Sequence, residues 1–405
     1  MDPSTPPSST VGHPVAAPGP ERGSAPDRPS TRGRRVLSRI TGAGPGPFHR
    51  TPVPEAHAGA AGRPWPERVA LGLVGLACFI TALGLMQRGA QALAPSLAGS
   101  VFTDSAWSTL GVGWLGAGIV LSGSPIGASS LALLDGGAID RTQAFAMLTG
   151  SRLGASFVVL AVGVVYALRR SAGRRAPLSI GVYALTITAV AYLPGAAIGW
   201  WLLSRGHLDG LDITAAPGLL SVTDALFGWV PDLVDRALPG WALFPVGLAV
   251  LLAAFAAIDR ALPTVSSDQL EARPHLTRPW VMFGLGCLVA LLTLSVSVAL
   301  TLLVPVVAHG HLRREDTIPY IAGANITTLA DTLVAAILLG NADAVRVVVA
   351  EIVGVGSFTI VLLALAYPLV RRASIAWARF VLTRPSHLAA FVAVLVLVPV
   401  ALIAL

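Results

Sequence analysis

Two stretches of this chain decide its fold, WSTLGVGWLGAGIVLSGS at Trp107–Ser124 and WVMFGLGCLVALLTLSVS at Trp280–Ser297. They align without a gap, and the interval that separates Trp107 from Trp280 continues beyond them. At that interval Gly137 pairs with Gly310, Arg141 with Arg314 and Gly150 with Gly323. We call such pairs repeat equivalents. An apolar unit that occurs twice, each time with two serines in its middle, is typical of transporters built from two related halves.

The composition predicts an all-α integral membrane protein. Of the 405 residues, 54% are hydrophobic and 12% are charged. Several apolar runs reach the ~20 residues that a helix needs to cross ~30 Å of hydrocarbon, and a soluble fold would leave them without a polar face. Seven such spans are predicted, at about 67–86, 142–168, 178–204, 240–258, 316–340, 345–370 and 386–405. An amphipathic connector is expected at about 88–104.

The two serine-bearing segments, 108–137 and 281–309, are too long for single straight spans. Each has about 29 residues and would measure roughly 43 Å as a helix. Gly123 and Pro125 favour a chain break in the first segment. We therefore interpret both as re-entrant helical hairpins that turn back halfway through the membrane. The alternative is one long, tilted and kinked helix.

The distribution of arginine favours the hairpins. With a cytoplasmic N-terminus and two hairpins, most loop arginines lie inside, the acidic 205–239 loop lies outside, and Arg88 and Arg141 are the exceptions. A full crossing by 108–137 would move the cluster Arg169–Arg175 outside. Three crossings separate the two units, and an odd number inverts the second unit, so the sequence predicts an inverted-repeat transporter in the cell (plasma) membrane.

Five regions follow from this map. They are a disordered basic tail at 1–64, a first repeat at 65–204 with hairpin 108–137, an extracytoplasmic loop at 205–239, a second repeat at 240–372 with hairpin 281–309, and a terminal transmembrane helix at 385–405. The net charge of +7 does not indicate nucleic-acid binding, because much of it lies in the tail and in short loops beside apolar runs.

Hydroxyl side chains lie at both expected hairpin tips. A re-entrant tip leaves backbone N–H and C=O groups unpaired, and these must face protein or water. Half-helix N-termini suit anions, half-helix C-termini suit a cation such as sodium, and a serine hydroxyl can serve either. We therefore expect substrate contacts from four serines, namely Ser122, Ser124, Ser295 and Ser297. Small residues at tight helix contacts are the alternative interpretation.

A second feature follows each serine pair and carries a family resemblance. The first copy reads GSRLGAS at 150–156, and the second reads GANITT at 323–328. The stretch LSVSVALTLLVPVVAHGHLRREDTIPYIAGANITT at 294–328 resembles the type II sodium–phosphate cotransporters and their bacterial relatives, which carry QSSS at the hairpin tips and GANIGTT-like motifs in the following helix. The resemblance covers roughly residues 67–370. Leu121 and Leu294 replace the family's glutamine, Arg152 replaces its first asparagine, and Thr327 replaces a glycine.

The resemblance implies sodium-coupled phosphate symport at a site between the hairpin tips. Substrate-binding residues would be Ser122, Ser124, Ser295, Ser297, Arg152, Asn325, Thr327 and Thr328. Cation binding or coupling would involve Ser151, Ser156 and Asp331. Arg152 binds the anion directly or forms a structural pair with Asp331 or Asp135. Asp331 could also couple transport to protons.

Other functions are less well supported. No lysine occurs, so there is no P-loop, and no metal-binding motif was found; we expect neither an enzyme nor a cofactor or resident metal. Glu351 would form an imperfect pair with Arg346 or extend to the membrane interface. Transport of another anion, coupling to protons, and a non-transporting membrane scaffold with a degenerate site remain as alternatives.

Overall fold

The computed structural model describes residues 64–169, 175–211, 213, 225–262, 278–308 and 312–405. These residues form helices and no strand. The first half contains α1 (Trp65–Leu97), α2 (Ala106–Val120), α3 (Ser124–Asp135), α4 (Arg141–Ala155), α5 (Phe157–Arg169), α6 (Arg175–Ser204) and α7 (Trp229–Ala237). The second half contains α8 (Gly240–Ala261), α9 (Pro279–Thr293), α10 (Val296–Thr301), α11 (Leu303–Ala308), a 3-10 turn (Arg314–Asp316), α12 (Thr317–Thr327), α13 (Leu329–Leu338), α14 (Ala342–Leu365), α15 (Tyr367–Val381) and α16 (Pro385–Ile403).

Seven helices in the described residues are long and apolar enough to cross a membrane. They are Trp65–Leu97, Arg141–Leu168, Arg175–Ser204, Gly240–Ala261, Arg314–Leu338, Ala342–Leu365 and Pro385–Ile403. Two of the seven are interrupted, by Ser156 between α4 and α5 and by Thr328 between α12 and α13. The expectation of an all-helical protein with seven candidate spans is confirmed. The expected disordered tail, and the histidines His309 and His311, lie outside the described residues.

Two helix boundaries differ from the predicted ones, and two helices were not predicted. Helix α1 continues to Leu97 without a separate connector, and Gly89 lies against the backbone of Phe244 in α8. The span predicted at 345–370 ends at Leu365, since Pro368 favours the start of a new helix rather than the continuation of α14. The amphipathic α15 that follows was not foreseen, nor was α7 within the 205–239 loop.

Both serine-bearing segments break at the same repeat position. Leu121 ends α2 with φ 57° and Leu294 ends α9 with φ 47°, and these are the only non-glycine residues with positive φ in the described chain. A leucine in the left-handed region is sterically disfavoured by about 1–2 kcal/mol. Pro125 lies within the first turn of α3, where a proline is tolerated. Neither segment is a straight helix.

Contacts at glycines show the relative direction of α2 and α4, the helices that precede and follow α3. Gly150 and Gly154 of α4 lie against Trp114 and Gly118 of α2, so these two helices run parallel. The chain between them must therefore return, and α3 makes that return. A hydrogen bond of 2.7 Å from the Gln143 side chain to the Thr103 carbonyl oxygen joins the start of α4 to the residues just before α2.

The same contacts occur in the second half. A side-chain carbon at Gly113 would collide with the carbonyl oxygen of Met147, and one at its repeat equivalent Gly286 would collide with that of Tyr320, which is itself the repeat equivalent of Met147. Gly323 likewise lies against Phe283, as Gly150 lies against Leu110. Helices α9 and α12 are thus packed in the same way as α2 and α4.

Two further helix pairs run antiparallel. Helix α1 packs on α8 with Gly75 against Ile258 and Gly89 against Phe244. Helix α6 packs on α14 with Gly195 against Val355 and Gly199 against Ala350. Each pair joins helices from corresponding places in the two halves: α1 and α8 are the first helices of their halves, and α6 and α14 cover largely repeat-equivalent stretches.

Candidate functional site

The two chain breaks are in direct hydrogen-bond contact with each other. The Ser297 hydroxyl, in the first turn of α10, donates a 3.2 Å hydrogen bond to the carbonyl oxygen of Leu121, the left-handed residue that ends α2. Ser295 caps α10, with its side chain accepting from the Val298 N–H at 3.3 Å. A left-handed residue followed by a short helix turns the backbone sharply, which is why the carbonyl group of Leu121 is available to Ser297.

The other two tip serines differ in exposure. Ser122 is half-buried, and its N–H donates to the Ala117 carbonyl oxygen at 3.2 Å, which closes the C-terminus of α2. Ser124 is buried at the start of α3, with its hydroxyl beside the Asp331 carboxylate. Of the four predicted serines, Ser297 joins one tip to the other and Ser124 joins the first tip to α13.

Arg152 is the charged group at the centre of the site. It lies in the last turn of α4, where a cation complements the helix dipole, and only 4% of its surface is exposed. Its Nη1 donates to the Thr328 hydroxyl at 3.1 Å, and its Nη2 donates to the Thr332 hydroxyl. Both threonines belong to the second half of the chain, so the guanidinium bridges the two halves.

Asp331 is the carboxylate that accompanies Arg152. It lies in the first turn of α13, and its Oδ1 is 3.8 Å from Arg152 Nη2. The Thr332 hydroxyl accepts from the guanidinium and donates to Asp331 Oδ1 at 2.9 Å, so one hydroxyl links the two charges. Asp331 Oδ2 and Arg152 Nε have no hydrogen-bond partner in the described part of the chain.

Of the two acids considered as partners for Arg152, Asp331 is the one in contact. Asp135 instead accepts a 2.8 Å hydrogen bond from the Asn341 side chain.

Asn325, the repeat equivalent of Arg152, belongs to a neighbouring hydroxyl cluster. Its Nδ2 donates to Thr188 Oγ1 at 2.9 Å, and the Ser156 hydroxyl lies 2.7 Å from the same oxygen. The Tyr192 hydroxyl donates to the Asn325 carbonyl oxygen at 2.7 Å. Sequence reasoning missed Thr188 and Tyr192, although two polar side chains spaced i, i+4 on an apolar span are the kind of signal that marks an interior face.

Ser151 and Thr327 are two further predicted residues whose side chains bond only to their own helices among the described residues. Ser151 is buried, and its hydroxyl donates to the Leu148 carbonyl oxygen of its own helix at 2.7 Å. Thr327 is half-buried and has only long contacts with its own helix, at 3.4 Å to the Gly323 carbonyl oxygen and 3.5 Å to that of Ala324. Within the described residues, neither side chain forms a hydrogen bond to another helix that would support its predicted role.

Glu351 is an interior carboxyl that the sequence interpretation misplaced. It was expected to pair with Arg346 or to extend to the interface, but its exposed fraction is 0%. The wrong step was to weigh only the neighbour in sequence. Arg346 lies a turn nearer the start of α14 and pairs instead with Asp343 at 2.9 Å and with the Asp209 carbonyl oxygen at 2.7 Å.

Ion pairs cluster at one end of the molecule. Arg88 contacts Asp232 at 2.5 Å, and Arg141 contacts Asp209 at 3.2 Å and Asp343 at 2.8 Å. Arg88 and Arg141 are the two exceptions in the arginine distribution. Both form ion pairs with acidic residues. Two of these, Asp209 and Asp232, belong to the segment between α6 and α8.

An apolar groove of about 220 Å³ lies beside the site. It is lined by Trp114, Leu153, Leu185, Thr186, Ala189, Val190, Trp377, Phe391 and Leu395. Leu153 follows Arg152 in sequence but points to this separate, apolar surface.

Comparison of the chain with protein-family models, curated proteins and solved structures found no match.

Proposed function

We propose that this protein is a secondary transporter that moves phosphate, a small inorganic anion, across the cell membrane in symport with sodium. The observation that carries the proposal is the contact between the two chain breaks, Ser297 to Leu121, next to a buried arginine that bridges both halves. Backbone dipoles, hydroxyls and one guanidinium thereby converge where lipid could not satisfy them.

The proposed architecture is an inverted repeat. Antiparallel packing of α1 with α8 and of α6 with α14 supports it, because equivalent helices of two inverted halves must run in opposite directions. The parallel packing of α2 with α4 supports a re-entrant first hairpin, and the matching contacts of α9 with α12 support a second. Seven crossings and the arginine distribution then favour a cytoplasmic N-terminus.

In the proposed cycle, phosphate binds between the tips. Ser122, Ser124, Ser295 and Ser297 supply hydroxyl donors. Arg152 suits a tetrahedral oxyanion because its guanidinium donates two parallel N–H groups. In the closed arrangement these donors are held by Thr328 and Thr332, and phosphate oxygens would replace the hydroxyls when the two halves separate.

Three of the remaining predicted residues, Asn325, Ser156 and Asp331, lie beside the groups that take part in this exchange. Asn325 and Ser156 share the Thr188 hydroxyl, and Asp331 lies beside Arg152. When the Arg152 guanidinium leaves Asp331 to bind phosphate, a sodium ion bound near Asp331 would balance the negative charge of the carboxylate. Alternating access would follow from movement of one helix bundle against the other.

Uptake of radiolabelled phosphate into proteoliposomes tests the proposal. We expect accumulation under an inward sodium gradient, none with potassium in its place, and loss of uptake in Arg152→Gln and Ser297→Ala. Ser357→Ala is the matched control, because that hydroxyl bonds only to the Gly354 carbonyl oxygen of its own helix. Sulfate as a competitor distinguishes phosphate from other oxyanions. Absence of uptake of every anion by folded protein would favour the non-transporting scaffold instead.

A further inference from the structure

Glu351 is a buried ionisable group for which the proposed phosphate site has no use. It lies in the middle of α14 with 0% of its surface exposed, and its Oε1 has no hydrogen-bond partner in the described residues. Glycines at 195, 199 and 354 bring α6 and α14 into backbone contact on either side of it. An ionised carboxylate in such a place is costly unless a cation or several donors compensate it.

The contact with Thr149 indicates the protonation state. Thr149 Oγ1 lies 3.0 Å from the Phe145 carbonyl oxygen and 3.0 Å from Glu351 Oε2. A threonine hydroxyl has one proton, so when both neighbours are acceptors it can form one full-strength donated hydrogen bond or two weaker, shared ones. A proton on Oε2 removes this competition, because the carboxylic acid then donates to Thr149 and Thr149 donates to Phe145.

Asp331 shows the opposite pattern. Its Oδ1 receives the hydroxyl proton of Thr332, which in turn accepts from the Arg152 guanidinium. When Asp331 is ionised, each hydrogen bond in the series from Arg152 through Thr332 to Asp331 has one donor and one acceptor. The single guanidinium is therefore committed to Asp331, and no second cation faces Glu351 within the described part of the chain.

Helices α3, α4, α6, α12, α13 and α15 pack against α14. Among the described residues, Arg152 on α4 lies near enough to act on Glu351, and Tyr192 on α6 lies near enough to be influenced by it. Asp135 on α3 is bonded to Asn341, and Tyr320 on α12 donates to the Ala299 carbonyl oxygen.

The ends of α14 and the helix after it are more distant. Asp343 and Arg346 pair with each other in the first turns of α14. Helix α15 begins at Tyr367, about 24 Å beyond Glu351 at the rise of a helix, and its arginines are not among the groups that act on Glu351.

We propose that Glu351 is a proton-binding site, and that its proton crosses the membrane together with the anion and the sodium ion. The inference rests on the proposed anion transport and adds a proton to the ions moved. Glu351 Oε2 takes a proton from water on one side and returns it to water on the other. A proton needs only one oxygen, whereas sodium needs a shell of several, and among the described residues Thr149 supplies the side-chain hydroxyl that is hydrogen-bonded to Glu351.

The geometry also provides a coupling step. Thr149 belongs to the first half of the chain and Glu351 to the second, so their hydrogen bond spans the two bundles that would move. Separation of the bundles would break this bond and admit water to the carboxyl group. Closure around a deprotonated Glu351 would leave a bare charge in the interior, which opposes movement until the proton is bound.

Infrared difference spectroscopy of the full-length protein in bilayers tests proton binding without reference to transport. At neutral pH we expect a protonated-carboxyl band that shifts when glutamate is ¹³C-labelled. The other glutamates of the described residues, Glu67 and Glu315, reach solvent, and the Glu351→Gln variant separates Glu351 from the glutamates outside those residues. The band should be lost in Glu351→Gln and kept in Glu67→Gln, the matched surface control. Because labelling needs no mutation, poor folding of Glu351→Gln would not obscure the result. Absence of the labelled band would overturn the inference.

Phosphate uptake separates this inference from the proposed function. In wild-type proteoliposomes at a fixed sodium gradient, an inward proton gradient should increase uptake, and Glu351→Gln should lose that response while Glu67→Gln keeps it. Sodium-driven uptake that ignores the proton gradient would leave the proposed function standing and overturn the coupling role. A labelled band together with no uptake of any anion would remove the transport proposal and leave Glu351 a proton site.

Discussion

Ser297 and Leu121 join the two halves of this chain at their points of greatest backbone irregularity. The Ser297 hydroxyl donates to a carbonyl group whose residue lies in the left-handed region at φ 57°. Strained residues persist where the surroundings hold them, and they concentrate at functional sites. A second left-handed leucine occurs at the repeat-equivalent Leu294. The irregular backbone is therefore a feature that both halves share.

We expect Leu121→Gly and Leu294→Gly to stabilise the protein by about 1 kcal/mol each, because glycine adopts positive φ without steric cost. Leu288→Gly, in the regular part of α9 and similarly half exposed, should destabilise by about 1 kcal/mol through lost helix propensity. Apparent melting temperatures in detergent show whether each variant is stabilised or destabilised. Equal losses in all three variants would contradict the strain at the breaks.

Much of this arrangement could be predicted from the sequence, and the reasons are specific. Seven apolar runs predicted seven spans because membrane thickness fixes their length. The paired repeats predicted two matched breaks. The serine pairs predicted where the breaks lie, but not that Leu121 and Leu294 would adopt positive φ, since leucine has no preference for it and only tertiary contacts impose it.

Side-chain partners were harder to predict than segments. The contact of Arg152 with Asp331 was foreseen as one of two choices, because a buried cation requires a compensating group and few acids lie in apolar runs. The contact of Glu351 with Thr149 was not foreseen, because it joins α4 to α14 and nothing in either segment indicates the other. Distant pairings of this kind depend on helix packing angles that a single sequence does not specify.

The glycine contacts allow a matched test two residues apart. Gly286→Ala should destabilise by about 1–3 kcal/mol, because the added methyl group meets the Tyr320 backbone and forces α9 away from α12. Gly284→Ala meets no atom within 4 Å and should stabilise by up to about 1 kcal/mol through helix propensity. Thermal unfolding in the same detergent compares the two. A loss in Gly284→Ala as large as in Gly286→Ala would count against close packing.

A double-mutant cycle on Arg152 and Asp331 should give a large coupling free energy. Each single change, Arg152→Gln or Asp331→Asn, leaves one buried charge uncompensated and should cost about 3–5 kcal/mol, and the double variant should recover part of that loss. The pair of Glu315 with Arg371, at 3.9 Å and partly exposed, serves as the control and should couple by about 0–1 kcal/mol. Additive losses at Arg152 and Asp331 would show that they do not interact.

Thr188 should matter more than its sequence suggests. Thr188→Val keeps the shape but removes the oxygen that accepts from Asn325 and contacts Ser156, so we expect a loss of about 1–3 kcal/mol. Thr186→Val should change stability by less than about 0.5 kcal/mol, because that hydroxyl bonds only the Val182 carbonyl oxygen of its own helix. Denaturation of both variants and of the wild type measures these changes in stability. If Thr188→Val and Thr186→Val were equally stable, the role of Thr188 would be refuted.

Cysteine labelling tests the re-entrant hairpins most directly. Arg205, after α6, and Arg372, in α15, are both exposed, and the chain between them contains three candidate spans and the segment 281–309. With Cys78 and Cys287 replaced by alanine, Arg205→Cys should react with a membrane-impermeant maleimide on intact cells, and Arg372→Cys only after permeabilisation. Three crossings put the two sites on opposite sides. If 281–309 crossed the membrane completely, the count would be four, and both cysteines would react from the same side.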